Sequence, residues 1–386
     1  MASTSTGAKD FNAYLAAKQA QADKELSAEW AALEELHNKK LWHQLTLKLR
    51  SFVMNPALQK GNELIDLYQN FIQGFENKIN PLALVEIIAF IVPKISDPKE
   101  AITFLETTEP KVKQNSEAVS LCKVLEGQIF LEKLKDQVAT KKIIEDVEKI
   151  LDDADGVTSV HGRYYLLASQ YYRLQGKHAE YYRTALRYLG CVELSELTNS
   201  DQVQHAFFLG LAALLGEGVY NLGELLAHPI LNTLKTTANA WLVELLFAFN
   251  TGDIAKFEKM KPQWETVPDL AAQEIKLRQK ISLLCLMEMT FKRPANDREL
   301  TFAEIARETR LPVKEVELLV MKALAQGLVR GAIDQVSSSV HMTWVQPRVL
   351  DTTQLSSMVN RLNFWCRDVK KMELLLEDKG HDFLTL

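Results

Sequence analysis

Three short strings in this chain carry residue types that chemistry uses. Gly216-Glu217-Gly218 follows an apolar run, as the glycines of a dinucleotide-binding loop do. The next glycine of that fingerprint would fall on Asn221, and the surroundings have helical rather than strand periodicity, so close backbone approach to a pyrophosphate is not provided. Gly176-Lys177 lacks the earlier glycine of a phosphate loop, where Tyr171 stands, and the hydroxyl that should follow, where His178 stands. His178 and Glu180 form a His-x-Glu without the downstream Pro-Cys-x-x-Cys that a zinc deaminase needs. None of the eight histidines lies in a His-x-His or His-Glu-x-x-His string, so a metalloprotease or a metal-dependent deubiquitinase has no ligand set. A Gly-x-Ser-x-Gly nucleophile elbow does not occur either. These readings predict a chain with no catalytic, cofactor-binding or metal-ligating residues and no cofactor. The isolated chain is expected to be a mostly helical monomer without hydrolase activity.

The four cysteines, Cys122, Cys191, Cys285 and Cys366, are far apart and form no Cys-x-x-Cys. They read as buried thiols in a reducing compartment. With 386 residues, 47% of them hydrophobic, the chain can bury a large core as two or three domains or as one array. Its net charge of −5 gives no polybasic attraction to nucleic acid or anionic lipid. The most apolar window, Leu82 to Val92, lies between Pro81 and Pro93 and contains Glu86, so it predicts a buried helix rather than a membrane span.

The elements that would position functional residues are helices. Residues 1–29 have the composition of a flexible tail without a signal-peptide core, the first ten being disordered. Beyond them one theme repeats, two amphipathic helices joined by a short polar turn. Trp30 to His37 precedes Leu41 to Val53, Arg163 to Leu174 precedes Ala179 to Leu189, and Trp241 to Phe249 precedes Ile254 to Lys261. In the last two turns Gly176 and Gly252 stand where a helix end needs a left-handed residue. Such hairpins cannot bury their faces alone, so they are expected to stack into a solenoid. Tyr164, Tyr165, Tyr171, Tyr172, Tyr181, Tyr182 and Tyr188 have the look of a base-stacking platform, but their helical spacing predicts packing between helices.

Leu300 to Val345 reads as a winged helix. Thr301 and Glu304 are spaced as a capping box, so a helix is expected over Phe302 to Glu308. Leu311-Pro312 makes a turn, Val313 to Gln326 a second helix ending at Gly327, and Leu328 to Asp334 and Val340 to Val345 two strands with a serine turn between them. Val340, Met342 and Trp344 share a face of the second strand. From Leu300 to Leu350 six basic residues (Arg307, Arg310, Lys314, Lys322, Arg330, Arg348) meet five acidic ones (Glu304, Glu308, Glu315, Glu317, Asp334), too little positive charge for a phosphate reader. The second helix should turn Val313, Val316, Val320, Ala323 and Leu324 to the core. Its other side, with Lys314, Leu318, Met321, Lys322 and Ala325, resembles a protein-contact patch more than a major-groove reader. The alternative is that Leu318 and Met321 pack under a neighbouring helix of the same chain.

At the C-terminus, Asp351 and Gln354 suggest a cap. Leu355, Met358, Val359, Leu362, Trp365, Cys366, Val369, Met372 and Leu376 then cluster on one side of a helix expected to end near Gly380. A stripe this long needs a covering, either the chain's own core or another protein.

Helical hairpins followed by a terminal winged helix resemble the PCI domain of proteasome-lid scaffold subunits and their relatives. The likeness extends to long strings, NKKLWHQLTL (Asn38 to Leu47), NPLALVEII (Asn80 to Ile88), ALRYLGCV (Ala185 to Val192), LGLAALLGEGVYNLGELLAHP (Leu209 to Pro229), LLCLMEMTFKRPAN (Leu283 to Asn296) and VHMTWVQPRVLD (Val340 to Asp351). DVEKIL with GVTSVH (Asp146 to His161) and EVELLVMKAL (Glu315 to Leu324) belong to the same set. By these strings the chain resembles the PCI-domain non-ATPase lid subunits of the 26S proteasome regulatory particle, within them the family of the ninth non-ATPase subunit, also called regulatory subunit 13. The resemblance implies a mainly α fold, a TPR-like helical-hairpin solenoid followed by a winged-helix module and a C-terminal amphipathic helix. The implied domains are a tail over 1–29, N-terminal repeats over 30–165, a PCI domain over 166–346 (helical to 298, winged helix 299–346) and an assembly helix over 351–386. It further implies a non-catalytic scaffold in the cytoplasm and nucleus, acting in lid assembly and ubiquitin-dependent degradation near the ubiquitin-receptor and deubiquitinase subunits. Its partners would be lid subunits held through winged-helix edges and a C-terminal helix bundle, with no nucleic acid and no membrane. The implied protein-contact residues are Lys314, Leu318, Met321 and Lys322 together with Leu355, Met358, Leu362, Trp365, Val369, Met372 and Leu376. The other reading is a nucleic-acid-associated PCI subunit of an RNA-export or translation-initiation complex.

Overall fold

The computed structural model describes all residues except 1–10, 22–23, 56, 59–60, 155, 295–296, 351 and 385–386. The expected disorder of the first ten residues and the cap at Asp351 therefore lie outside the described residues. The chain forms two compact units, Met1–Glu193 and Leu194–Leu386.

The first unit is helical: α1 (Phe11–Gln21), α2 (Lys24–Asn38), α3 (Trp42–Val53), α4 (Glu63–Asn70), α5 (Pro81–Ile91), α6 (Pro98–Val112), α7 (Ser116–Ile129), α8 (Gln137–Asp152), α9 (Ser159–Leu174) and α10 (His178–Cys191). Local chemistry fixes the starts. Asn80, Asp97, Asn115 and Asp136 each accept a hydrogen bond from a first-turn backbone N–H, and Pro81 and Pro98 open α5 and α6. At α9 a histidine does the work usually given to glutamate. His161 Nδ1 accepts from the Thr158 N–H at 3.0 Å, completing a capping box. The α9–α10 turn closes as expected, with Gly176 at φ +68°, its N–H on Arg173 O and the Lys177 N–H on Tyr172 O. Helices adjacent in sequence pack on one another, α1 on α2, α2 on α3, α6 on α7 and α9 on α10.

Two boundaries differ from expectation. Residues 11–21 and 24–29, read as tail, form α1 and the first turns of α2. Leu15 is fully buried, and the Phe11 ring occupies the space a side chain on Gly74 would need. Alanine-rich composition disguised this segment as a tail, although alanine is the best helix former. The expected boundary at 165/166 would cut α9 in two. Because α9 and α10 pack closely on one another, the units divide after Glu193 instead.

The second unit contains α11 (Asn199–Leu215), α12 (Gly223–Ala227), α13 (Leu231–Lys235), α14 (Ala240–Thr251), α15 (Ile254–Lys259), α16 (Lys261–Trp264), α17 (Pro268–Ala272) and α18 (Glu274–Lys292). It continues with β1 (Glu299–Thr301), α19 (Phe302–Thr309), α20 (Val313–Ala325), β2 (Val329–Asp334), β3 (Ser339–Val345) and α21 (Thr352–Leu384). α11, α14 and α18 pack together and bury Leu209, Leu246 and Leu284. Gly252, at φ +68°, ends α14 and lies against the Cys285 backbone, where a Cβ would come within 2.5 Å of Cα.

The winged helix forms as read, with one addition. Thr301 and Glu304 make the capping box of α19, and β2 pairs antiparallel with β3. A third strand, β1, pairs with the other edge of β3 and gives the order β1-β3-β2, with Leu300 opposite Val340. Val340 and Met342 are buried and His341 and Thr343 exposed, the period of two that a one-sided sheet requires. On α20 the buried stripe is Val316, Leu319, Val320 and Ala323. Val313, expected in it, is 53% exposed because nothing covers the first turn, and Leu324 is only partly buried.

Candidate interaction surfaces

The strings that resembled catalytic loops have structural roles. Gly216 follows the last turn of α11, and the Lys280 ammonium donates to Ala213 O at 2.6 Å, Leu214 O at 3.1 Å and Gly216 O at 2.9 Å. A dinucleotide loop presents N–H groups at a helix N-terminus. This loop presents carbonyls at a C-terminus and holds a cation, the opposite polarity. Burial lowers Lys280 to about 7, while the carbonyls favour its charged form. His178 opens α10, and Glu180 pairs with Arg183 on the same helix.

Two of the four thiols depart from the expectation of burial. Cys122 and Cys285 are buried and raised by desolvation to about 12 and about 11, so neither is a nucleophile near neutrality. Cys191, at the end of α10, and Cys366, on α21, are exposed. The tyrosines pack as expected. Tyr164, Tyr171, Tyr181, Tyr182 and Tyr188 are buried, with Tyr165 and Tyr172 partly so, and α9 packs on α7 and α8 as well as on α10. Among the described residues, no group of His, Cys, Asp or Glu is placed to hold a metal, and no helix is long and apolar enough to cross a membrane.

On the winged helix, the basic residues are largely committed to groups of the chain itself. Arg310 pairs with Glu258, Arg307 with Glu308 and Arg348 with Glu288. The Arg330 guanidinium lies 4.7 Å from the Trp344 ring centroid, and Lys322 donates to Gln279 at 2.7 Å. With glutamates beside these arginines, little net positive charge is left to neutralise phosphates. The outer face of α20 is open to solvent. Leu318 and Met321 are 65% and 51% exposed, so they do not pack under a neighbouring helix as the alternative required. With Ile275 and Arg278 of α18, Leu318 and Lys322 line a groove of about 550 Å³. β2 has no strand on its outer side among the described residues, leaving a hydrogen-bonding edge.

The segment that leads to the last helix is fixed. Arg348 donates to Asn250 O at 3.1 Å as well as pairing with Glu288, and the Val349 N–H donates to Asn221 Oδ1. Beyond it α21 runs 33 residues, through Gly380 rather than ending there. Its stripe is uncovered: Leu355, Met358, Leu362, Trp365, Val369, Met372 and Leu376 are all between 44% and 65% exposed. Covering by the chain's own core is thus not what the structure shows. Phe364, Leu374 and Leu375, outside the stripe, are exposed too, a feature the sequence reading missed because it followed a single face.

Sequence comparison agrees with this order of parts. The family profile of PSD13 N-terminal repeats matches residues 29–246, and that of the PCI domain matches 257–344. A 26S proteasome non-ATPase regulatory subunit 13 homologue of Arabidopsis thaliana is 38% identical over 376 residues, covering 95% of this chain and 97% of the relative. The 26S proteasome non-ATPase regulatory subunit 13 of Dictyostelium discoideum is 37% identical, covering 94% and 95%, and the 26S proteasome regulatory subunit RPN9 of Saccharomyces cerevisiae 33%, covering 96% and 98%. With N-terminal repeats, a PCI winged helix and likeness over nearly the whole length, the chain belongs to the PSD13/Rpn9 family of 26S proteasome non-ATPase regulatory subunits.

Proposed function

We propose that this protein is a non-catalytic scaffold of the proteasome regulatory-particle lid, acting in lid assembly and so in ubiquitin-dependent degradation. The observation that carries the reading is α21, a 33-residue helix with a continuous exposed apolar stripe on a base tied down by Arg348 and Val349. An apolar surface of this extent on a soluble protein marks an interaction site. Its partners are other lid subunits, gathered around α21 in a helix bundle. The apolar residues on a second face of α21 suit contact with more than one helix. The β2 edge and the α20 face of Lys314, Leu318, Met321 and Lys322 supply further contacts by strand addition and side-chain packing. In this reading the protein works near the ubiquitin-receptor and deubiquitinase subunits, in cytoplasm and nucleus.

The test is purification of the tagged chain from cells at moderate salt. The intact chain should bring down the other lid subunits and show no ubiquitin-chain cleavage when isolated from them. A chain lacking 352–386 should recover few, with its helical circular dichroism otherwise retained. Full recovery by the shortened chain would overturn the reading, and cleavage by the isolated subunit would overturn its non-catalytic part.

A further inference from the structure

The apolar seam of α21 has a symmetry that an arbitrary amphipathic helix lacks. Leu355, Leu362, Val369 and Leu376 recur every seven residues, with Met358, Trp365 and Met372 three residues further on in each heptad. This is the a/d repeat of a helix that supercoils with a partner. Like any a/d repeat, the seam reads the same in both directions about a midpoint, here Arg367: Trp365 and Val369, Leu362 and Met372, and Met358 and Leu376 lie at equal distances on either side. A second copy of the same helix, antiparallel and centred on Arg367, therefore meets the seam from Met358 to Leu376 with apolar partners over six consecutive layers, while Leu355 falls opposite Lys379.

We infer that, before it joins other subunits, the protein pairs with a second copy of itself through α21, the two helices antiparallel about Arg367. The inference rests on the reading of α21 as an interaction element and names one occupant of its stripe. Covering the half-exposed seam of both copies removes on the order of 1,500 Å² from water, within the range of specific interfaces. Orientation follows from charge. In a parallel pair the residues flanking the seam would set Asp368 against the partner's Glu373, a like-charge contact. The antiparallel pair avoids it and leaves one repulsive contact, Asp368 against its own symmetry mate at the axis. Lys371, 3.5 Å from Asp368 on the same helix, partly offsets that repulsion. Cys366, one residue from the axis and exposed, then lies beside its counterpart. Self-pairing masks an apolar surface that would otherwise aggregate, and arriving subunits must displace it. It replaces the monomeric state expected from the sequence.

Sedimentation velocity of the full chain under reducing conditions, from about 1 to 100 μM, should show a reversible monomer–dimer equilibrium. Leu362→Asp should leave only monomer with an unchanged melting temperature, whereas Asp368→Asn should tighten the dimer about threefold by removing the axial repulsion. A short bismaleimide should link the dimer with Cys191→Ser present and fail with Cys366→Ser. A monomer throughout the range, a dimer that survives Leu362→Asp, or weakening by Asp368→Asn would each overturn the inference. Recovery of lid subunits from cells separates the two readings. A chain that is monomeric yet loses recovery on Leu362→Asp defeats self-pairing and leaves the assembly reading standing. A dimer broken by that substitution with recovery intact does the reverse.

Discussion

Arg348 and Glu288 form an ion pair with both side chains more than nine-tenths buried, and they join the base of α21 to α18. Removing one partner strands the other's charge away from water. Arg348→Ala should therefore destabilise the second unit by about 3 kcal/mol in urea unfolding, and Arg348→Leu with Glu288→Leu should recover most of the loss. In the first unit the Glu126 carboxyl is raised from 4.5 to about 7, chiefly by burial and then by the charges of Glu109 and Glu106. Its Oε1 is buried without a hydrogen-bond partner. The folded chain thus holds a proton that the unfolded chain releases at the ordinary carboxylate value. The associated stability is complete below about 4.5 and lost as pH rises through about 7. Melting curves over this range should show a fall that Glu126→Gln abolishes, with a gain at pH 8 on the order of 1 kcal/mol after solvent screening.

At the scale of elements, the winged helix has the shape of a nucleic-acid reader without its electrostatics, since Arg307, Arg310 and Arg348 face glutamates and Arg330 lies on Trp344. The full chain should bind duplex DNA no tighter than about 10⁻⁴ M at physiological salt. An anisotropy titration giving sub-micromolar, sequence-dependent binding would contradict this. The same module shows what a sequence exposes and what it hides. α19, α20, β2 and β3 were legible because capping residues, Gly327 and period-two alternation are local signals. β1 was not, since Glu299-Leu300-Thr301 is too short to establish a period and its pairing depends on β3. Exposure was the least legible property. Periodicity marks an apolar face without showing whether anything covers it, so the sequence alone puts Val313 in the core, where the structure leaves it exposed.

For the molecule as a whole, a long uncovered apolar stripe lies on one terminal helix, and the central claim is that other proteins cover it. Substituting Leu362 and Val369 together with Asp puts two charges into that seam, each unpaired buried charge costing on the order of several kcal/mol. The decisive measurement pairs the melting temperature of the isolated variant with its recovery alongside lid subunits from cells. Loss of incorporation with an unchanged melting temperature is the result this account predicts, because neither side chain contributes to the chain's own core. Normal incorporation, or a large drop in melting temperature, would contradict it.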